Sequence, residues 1–203
     1  MDFKIARKNM VENQIRANKV TSLNVINAFL DVPREKFVPD ALQEISYVDE
    51  DIQLSRNRFM MKPMILARLF QSLNLKGNEN ILHVGSNSGY GSAILSRMCS
   101  SVISIESDKK LFETSIHTFS NMGFDNVVPL HGSMENGVEK EAPFDIIFIE
   151  GSIETEPKSL FGQLNENGKL IAIIRPANIK IGKAKLFFKI SNSFIGNTFK
   201  WFF

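Results

Sequence analysis

The chain has 203 residues, 43% hydrophobic and 23% charged, with a formal net charge of +2. That balance fits one ordinary to large globular domain, or one with an N-terminal extension, and excludes wholesale disorder. So small a net charge makes no electrostatic case for nucleic acid, no apolar stretch is long enough to span a bilayer, and the single cysteine, Cys99, excludes an intramolecular disulfide and an all-cysteine metal site. The N-terminus lacks the apolar core of a secretory signal, so a reducing cytoplasm is the expected compartment.

The first third reads as helical. Phe3, Ala6, Met10 and Ile15 lie near helical spacing. Thr21 is the expected cap of a second helix with Leu23, Ile26, Phe29 and Leu30 on one face, ended by Asp31-Val32-Pro33. Residues 45–62 read as irregular, with an acidic cluster at Asp49-Glu50-Asp51, and Pro63 suits the first turn of a helix reaching about Leu73. From Gly77 the pattern changes to strands separated by helices. Strands are expected at Asn80–Val84, Val102–Glu106, Val127–Leu130, Phe144–Glu150 and Leu170–Ile174, and helices at Ser92–Met98 and Lys109–Phe119. This alternation implies a parallel sheet with helices on both faces. After Gly182, Lys185–Ile190 and Asn197–Phe202 read as a closing antiparallel pair. Between Asn167 and Phe203 there are seven basic residues and no acidic one, read here as a strand edge guarded by lysines.

The sharpest local signal is Ile81-Leu82-His83-Val84-Gly85-Ser86-Asn87-Ser88-Gly89-Tyr90-Gly91, a strand, a tight turn and a helix start. Gly85 lets the backbone leave the strand sharply, Gly89 lets helix and strand pack closely, and a ligand can approach the N–H groups between them. Glu106 ends the second strand 21 residues after Gly85, where a carboxylate can accept both hydrogen bonds of a ribose diol. Two later strand ends, His131-Gly132-Ser133-Met134 and Glu150-Gly151-Ser152, offer further contacts. All lie at carboxyl ends of strands, where open sheets bind ligands.

Together these residues resemble an S-adenosylmethionine-dependent methyltransferase, and more narrowly the protein-L-isoaspartate O-methyltransferase family. The most specific evidence is Val32-Pro33-Arg34-Glu35-Lys36-Phe37-Val38-Pro39, close to that family's V-P-R-x-x-F-V-P signature. Met10-Val11 with Gln14-Ile15-Arg16 is similar to its opening helix, Tyr47-Val48-Asp49 to its A-Y-x-D segment, Ala142-Pro143-Phe144-Asp145 to the strand before its cofactor site, and Asn167-Gly168-Lys169-Leu170 to its G-G-x-L turn. The resemblance covers roughly residues 8 to 175. It implies a Rossmann-like, seven-stranded α/β sheet with an N-terminal helical extension. Residues 1–76 would form helices and a substrate loop packed on a core of residues 77–203, the whole making one structural domain.

The activity implied is transfer of a methyl group from S-adenosyl-L-methionine to the α-carboxylate of an isoaspartyl residue, the first step in repairing aged proteins. The partner would be a protein or peptide carrying that carboxylate, with no nucleic acid and no membrane. By position, His83, Gly85, Ser86, Asn87, Gly89, Glu106, His131, Gly132 and Glu150 would surround the cofactor, with Gly85 and Gly89 at its methionine end, Glu106 on the ribose and Gly132 by the adenine. Phe59, Met60, Met61 and Pro63 would form the substrate loop.

Four departures fall on this pattern. His83 stands where the family has an acidic residue, Asn87 where it has the second loop glycine, and Leu130-His131-Gly132 where it has Gly-Asp-Gly. Met61 takes the place of the catalytic serine and Phe59 that of a threonine. An ionised carboxylate needs no general base, so a serine would only orient it, and its loss removes no chemical participant. These departures also motivate a second reading, a scaffold or binding protein that kept the fold without transfer. A nicotinamide-dependent oxidoreductase shares the ribose clamp, but Asn87 breaks its fingerprint. Met60, Met61 and Met64 read as core, Arg58 and Lys62 as a solvated loop or an attraction for an acceptor carboxylate, and His117 as surface. Ser88 lacks a nucleophile elbow, and His83 with His131 lacks a third metal ligand.

Overall fold

A computed structural model describes residues 1–191 and 193–202, residues 200–202 by backbone alone. Helix α1 (Phe3–Met10) starts where the Asp2 carboxylate accepts the Lys4 and Ile5 backbone N–H groups at 3.0 and 3.1 Å. Helix α2 (Leu23–Asp31) follows. Its flanking residue is Ser22 rather than Thr21, and no side chain there caps it. Instead Gln71 of α3 (Pro63–Leu73) reaches across, and its Oε1 accepts the Thr21 and Ser22 N–H groups at 2.7 and 2.9 Å. A cap supplied from another helix leaves no mark near position 21. Residues 45–62 are also more ordered than expected. β1 (Ile52–Ser55) and β2 (Arg58–Met60) form an antiparallel hairpin with Ile52 opposite Met60. Strands of four and three residues with a bulge are too short to show an alternating pattern.

The main sheet contains β3 (Asn80–Val84), β4 (Ser101–Glu106), β5 (Val127–His131), β6 (Phe144–Ile153), β7 (Leu164–Ile174), β8 (Lys183–Ile190) and β9 (Ser193–Phe202). Their spatial order is β5-β4-β3-β6-β7-β8-β9. The first five are parallel, and β8 and β9 close the sheet antiparallel, as expected. Helices α4 (Tyr90–Ser96), α5 (Lys109–Met122) and α6 (Lys158–Phe161) connect the strands. The strand period of two splits the core in two. Ile81, Ile146 and Phe148 face one layer, with Ile26, Phe29 and Phe70 from the N-terminal helices. Leu82, Ile147 and Ile149 face the other, with Leu160 and Phe161 of α6. Each such side chain, fully buried, contributes about 1.5–3 kcal/mol. No helix among the described residues is long and apolar enough to cross a membrane.

The lysine-guarded edge needs correction. The edge strand is β9, while Lys185 and Lys189 lie on β8, second from the edge. Lys185 pairs with Glu156 at 3.1 Å, and Lys189 donates to the Leu164 carbonyl at 2.7 Å. The order reverses between β3 and β6, the neighbours from which the chain departs in opposite directions, and the cleft above their carboxyl ends is where this architecture receives ligands.

Candidate functional site

The glycine loop leaves β3 at Gly85, whose φ of +77° excludes a side chain without strain. A Cβ there would lie 3.0 Å from the Glu150 carbonyl, 3.1 Å from Arg58 Nη2 and 3.5 Å from Met134 Sδ. Three segments therefore converge on this one residue. Asn87 adopts φ +54°, the left-handed conformation a glycine would supply and one that asparagine tolerates best among other residues. The substitution preserves the turn and adds polar groups. Asn87 Nδ2 donates to the Gly85 carbonyl at 3.1 Å, and Oδ1 is buried without a hydrogen-bond partner. Beneath the loop, Gly89 gives room to the Phe119 ring, whose Cε1 would sit 2.8 Å from an added Cβ. Ser86 is buried and its carbonyl accepts the Gly89 N–H at 2.9 Å. Ser88 does no nucleophile's work. Its hydroxyl donates to the Phe37 carbonyl at 2.5 Å, tying the loop to the N-terminal segment.

Two carboxylates flank the loop. Glu106 is 1% exposed and accepts three backbone N–H groups, the Arg58 guanidinium and, at 3.5 Å, the Ser107 hydroxyl. Oε1 takes the Ser107 and Asp108 N–H groups at 2.9 Å each; Oε2 takes the Asn87 N–H at 2.8 Å and Arg58 Nη2 at 2.5 Å. Arg58 comes from β2, so the hairpin closes over the Glu106 carboxylate rather than standing in solvent. Glu150 lies in a stretch of β6 where the register against β7 shifts between Phe148 and Ser152, with Gly151 at φ +105°. This irregularity turns its carboxylate inward, to 3.0 Å from His83 Nε2. The approach lacks hydrogen-bond alignment, so Glu150 Oε2 is buried and unpartnered. His83 is fully buried, with Nδ1 2.7 Å from the Ser92 hydroxyl. Gly91 makes this packing fit, since a Cβ there would collide with Glu150 Oε2 and come 2.8 Å from His83 Cε1. The acidic group missing at position 83 is thus present in space, carried by the neighbouring strand.

The Val32–Pro39 string builds the wall facing the loop. Arg34 is wholly buried; its Nε donates to the Ser46 carbonyl at 2.7 Å and its Nη2 to the Met61 carbonyl at 2.9 Å. Its guanidinium lies 4.8 Å from the Tyr90 ring centre. Burial draws this guanidinium below its ordinary pKa, against the opposing pull of Tyr90 and Glu150. Glu35 pairs with Arg7 at 3.3 Å and accepts the Tyr47 hydroxyl. Phe37 packs on Tyr90, Phe119 and Phe124. Met60 and Met61 are core residues with Met64 packed against them, as expected, and Pro63 begins α3. Phe59 is 47% exposed.

Between the β1–β2 hairpin, the glycine loop and the ends of β6 and β7 lies a cavity of about 700 Å³ lined by Phe59, Met61, Asn87, Glu150, Gly151 and Ser152, among others. A similar cleft of about 720 Å³, between Asn24 and Arg97, contains none of the expected site residues. His131 lies apart from the first cavity: it is exposed, with Nε2 3.1 Å from the Ser107 carbonyl, and the Gly132 N–H donates to the Glu106 carbonyl at 3.1 Å. Among the described residues no three metal-ligating side chains gather. Arg34, Ser88, Gly91 and the Arg58–Glu106 contact carry the geometry without having been read as site features. The signal for Arg34 was its presence inside the most specific string.

Residues 5–198 match the family model described as protein-L-isoaspartate(D-aspartate) O-methyltransferase. The chain is 34% identical over 165 residues to protein-L-isoaspartate O-methyltransferase 2 of Anaeromyxobacter sp., covering 81% of this chain and 68% of that one. It is 33% identical to the protein-L-isoaspartate O-methyltransferase of Methanococcus maripaludis, over 80% of this chain and 78% of the other. A solved protein-L-isoaspartate O-methyltransferase structure superposes with a TM-score of 0.84 at 25% identity, over 97% of this chain and 64% of that chain's length. A second, from Plasmodium falciparum and described as a complex with S-adenosyl-L-homocysteine, has a TM-score of 0.80 at 24% identity, over 98% and 94% of the two chains. The chain belongs to the protein-L-isoaspartate O-methyltransferase family and has its mixed seven-stranded α/β fold.

Proposed function

We propose that this chain transfers a methyl group from S-adenosyl-L-methionine to a protein carboxylate, that of an isoaspartyl residue, as an early step of protein repair in a reducing cytoplasm. The observation that carries this reading is the cavity at the sheet's switch point, lined by Asn87 and Glu150, with Asn87 Oδ1 buried and lacking a donor. A buried acceptor without a donor costs about 1–3 kcal/mol. The α-ammonium of a bound amino-acid moiety brings the missing donors, so these residues fit the methionine end of the cofactor.

Glu106 is the fitting acceptor for the ribose diol, once Arg58 gives up Oε2. The three backbone N–H groups keep it oriented when Arg58 leaves. His83, held by Ser92, supports Glu150 at the position where the family carries its own carboxylate. When bound, the cofactor supplies a methyl group already attached to a sulfonium leaving group. The chain's part is to bring an ionised acceptor oxygen in line with that methyl and to exclude water. Arg34 serves this by pinning the Met61 backbone, so the loop keeps its course without a serine hydroxyl.

Calorimetric titration with S-adenosyl-L-methionine and S-adenosyl-L-homocysteine, followed by methyl labelling of an isoaspartyl peptide and its aspartyl twin, tests the reading. The expected result is micromolar binding of both and labelling of the isoaspartyl peptide alone. Binding without transfer would instead support the scaffold reading, and no binding at millimolar ligand would overturn the cofactor assignment.

A further inference from the structure

The seven basic residues between Asn167 and Phe203 do not share one role. Lys169 donates to the Leu73 carbonyl, Lys185 pairs with Glu156, and Lys189 donates to the Leu164 carbonyl, so these three hold the sheet's surroundings together. Arg175 and Lys180 differ. Both line the 700 Å³ cavity, and Lys62 lines it from the loop before α3. Arg175 and Lys180 are exposed and Lys62 is half-buried. No ion pair holds any of the three among the described residues.

The backbones of Lys62 and Arg175 are anchored although their charged ends are not. The Lys62 N–H donates to Asp51 Oδ1 at 2.8 Å, and the Arg175 N–H donates to the Ile153 carbonyl at 2.8 Å, fixing it just past the end of β7. The two carboxylates on the same cavity, Asp51 and Glu150, are directed to groups other than these cations' charged ends. Asp51 accepts the Lys62 N–H, Glu150 faces His83, and Arg58 is matched by Glu106. Three cations from two segments, the loop before α3 and the connection between β7 and β8, therefore line one opening. Beside them stands Met61, which offers no donor to a carboxylate.

From this arrangement we infer that Lys62, Arg175 and Lys180 determine acceptor specificity: the cavity selects peptides whose isoaspartyl residue is flanked by further acidic side chains, and the cations supply by charge the attraction that position 61 does not supply by hydrogen bonding. The inference rests on the carboxyl-methyl-transfer reading for its chemistry, although peptide capture can be measured without it. Charges this exposed act in high dielectric and are screened by salt, so each is worth a modest factor.

The test uses two fluorescent isoaspartyl peptides, one flanked by glutamates and one by glutamines, and the variants Lys62→Gln, Arg175→Gln, Lys180→Gln and the triple combination. Binding is read by anisotropy and methyl transfer by labelling. The acidic peptide should bind about tenfold more tightly at low salt, with the advantage fading as the Debye length shrinks. Each single variant should raise its Kd and KM about two- to fivefold, with the change falling on KM rather than kcat. The triple variant should treat the two peptides alike. Equal binding of both peptides by the unaltered protein, or a triple variant that keeps the preference, would overturn the inference. Charge-selective binding without methyl transfer would uphold it while removing the transfer reading. Transfer that ignores flanking charge would do the reverse.

Discussion

Replacing Arg58 by alanine should tighten the binding of S-adenosyl-L-methionine. Arg58 Nη2 sits 2.5 Å from Glu106 Oε2, the oxygen a ribose hydroxyl would need. A ligand that uses this oxygen must first open the contact. A hydrogen bond to a charged group contributes about 1.5–3 kcal/mol net. The Arg58 side chain is 18% exposed, so solvent screening brings the cost just below that range, to about 1.4 kcal/mol, which is a factor of about ten in Kd. Glu106 loses little in the variant, because the N–H groups of Asn87, Ser107 and Asp108 remain. Calorimetry on the unaltered protein, Arg58→Ala and Arg58→Lys should give Kd values that fall about tenfold for alanine and less for lysine. Glu106→Gln should weaken binding in both backgrounds. An unchanged or larger Kd for Arg58→Ala would refute the reasoning, since it would mean that Arg58 helps hold the ligand or that Glu106 does not touch it.

Gly91→Ala should lower cofactor affinity at least tenfold and destabilise the fold by about 1–3 kcal/mol, because its Cβ collides with the Glu150 carboxylate and crowds His83; alanine's ordinary helical advantage predicts the opposite sign, and urea unfolding decides between them. Arg34→Met should cost on the order of 3–5 kcal/mol in the same assay, since the Ser46 and Met61 carbonyls lose charged donors inside the core, and a loss under 1 kcal/mol would refute that role. Burial pushes the Tyr90 phenol from 10.0 up to about 12, so its stabilising contribution is full below pH 10 and is lost as pH rises toward 12, by on the order of 3 kcal/mol. Because the buried Tyr90 hydroxyl makes no well-aligned hydrogen bond, Tyr90→Phe should be within about 1 kcal/mol of the parent at pH 7, and should lose this part of the alkaline transition. Burial likewise raises the Cys99 thiol to about 12, so Cys99→Ala should remove a further loss that begins near pH 9, and alkaline melting curves unchanged by either substitution would contradict both assignments.

What can be read from the chain alone is what neighbouring residues encode. The five parallel strands were legible from their apolar stretches, and β3 and α3 begin and end as expected, while β6 runs on to Ile153 and β7 begins at Leu164, six polar-rich residues before the expected start. Gly85 and Glu106 were legible from their places at strand ends. Asn87 read as a departure and is none in backbone terms, because only its φ mattered to the turn.

The tertiary structure decided the rest, because the partners involved are distant in the sequence. Gln71 caps α2 from 49 or 50 residues away, Arg58 meets Glu106 across 48, and Ser88 meets Phe37 across 51. A hydrophobic period says which face of a strand is buried, but not which side chain stands opposite. His83 alone looked like a lost carboxylate; the irregularity in β6 sets Glu150 beside it and restores the charge from another strand. The same limit governs the basic C-terminal run, whose members look alike in order and differ only in what they face once β7 and β8 have joined the sheet. Backbone conformation and burial are local properties and so are written in the local sequence, whereas a charged group's role is set by its partners, which only chain folding brings within a few ångströms.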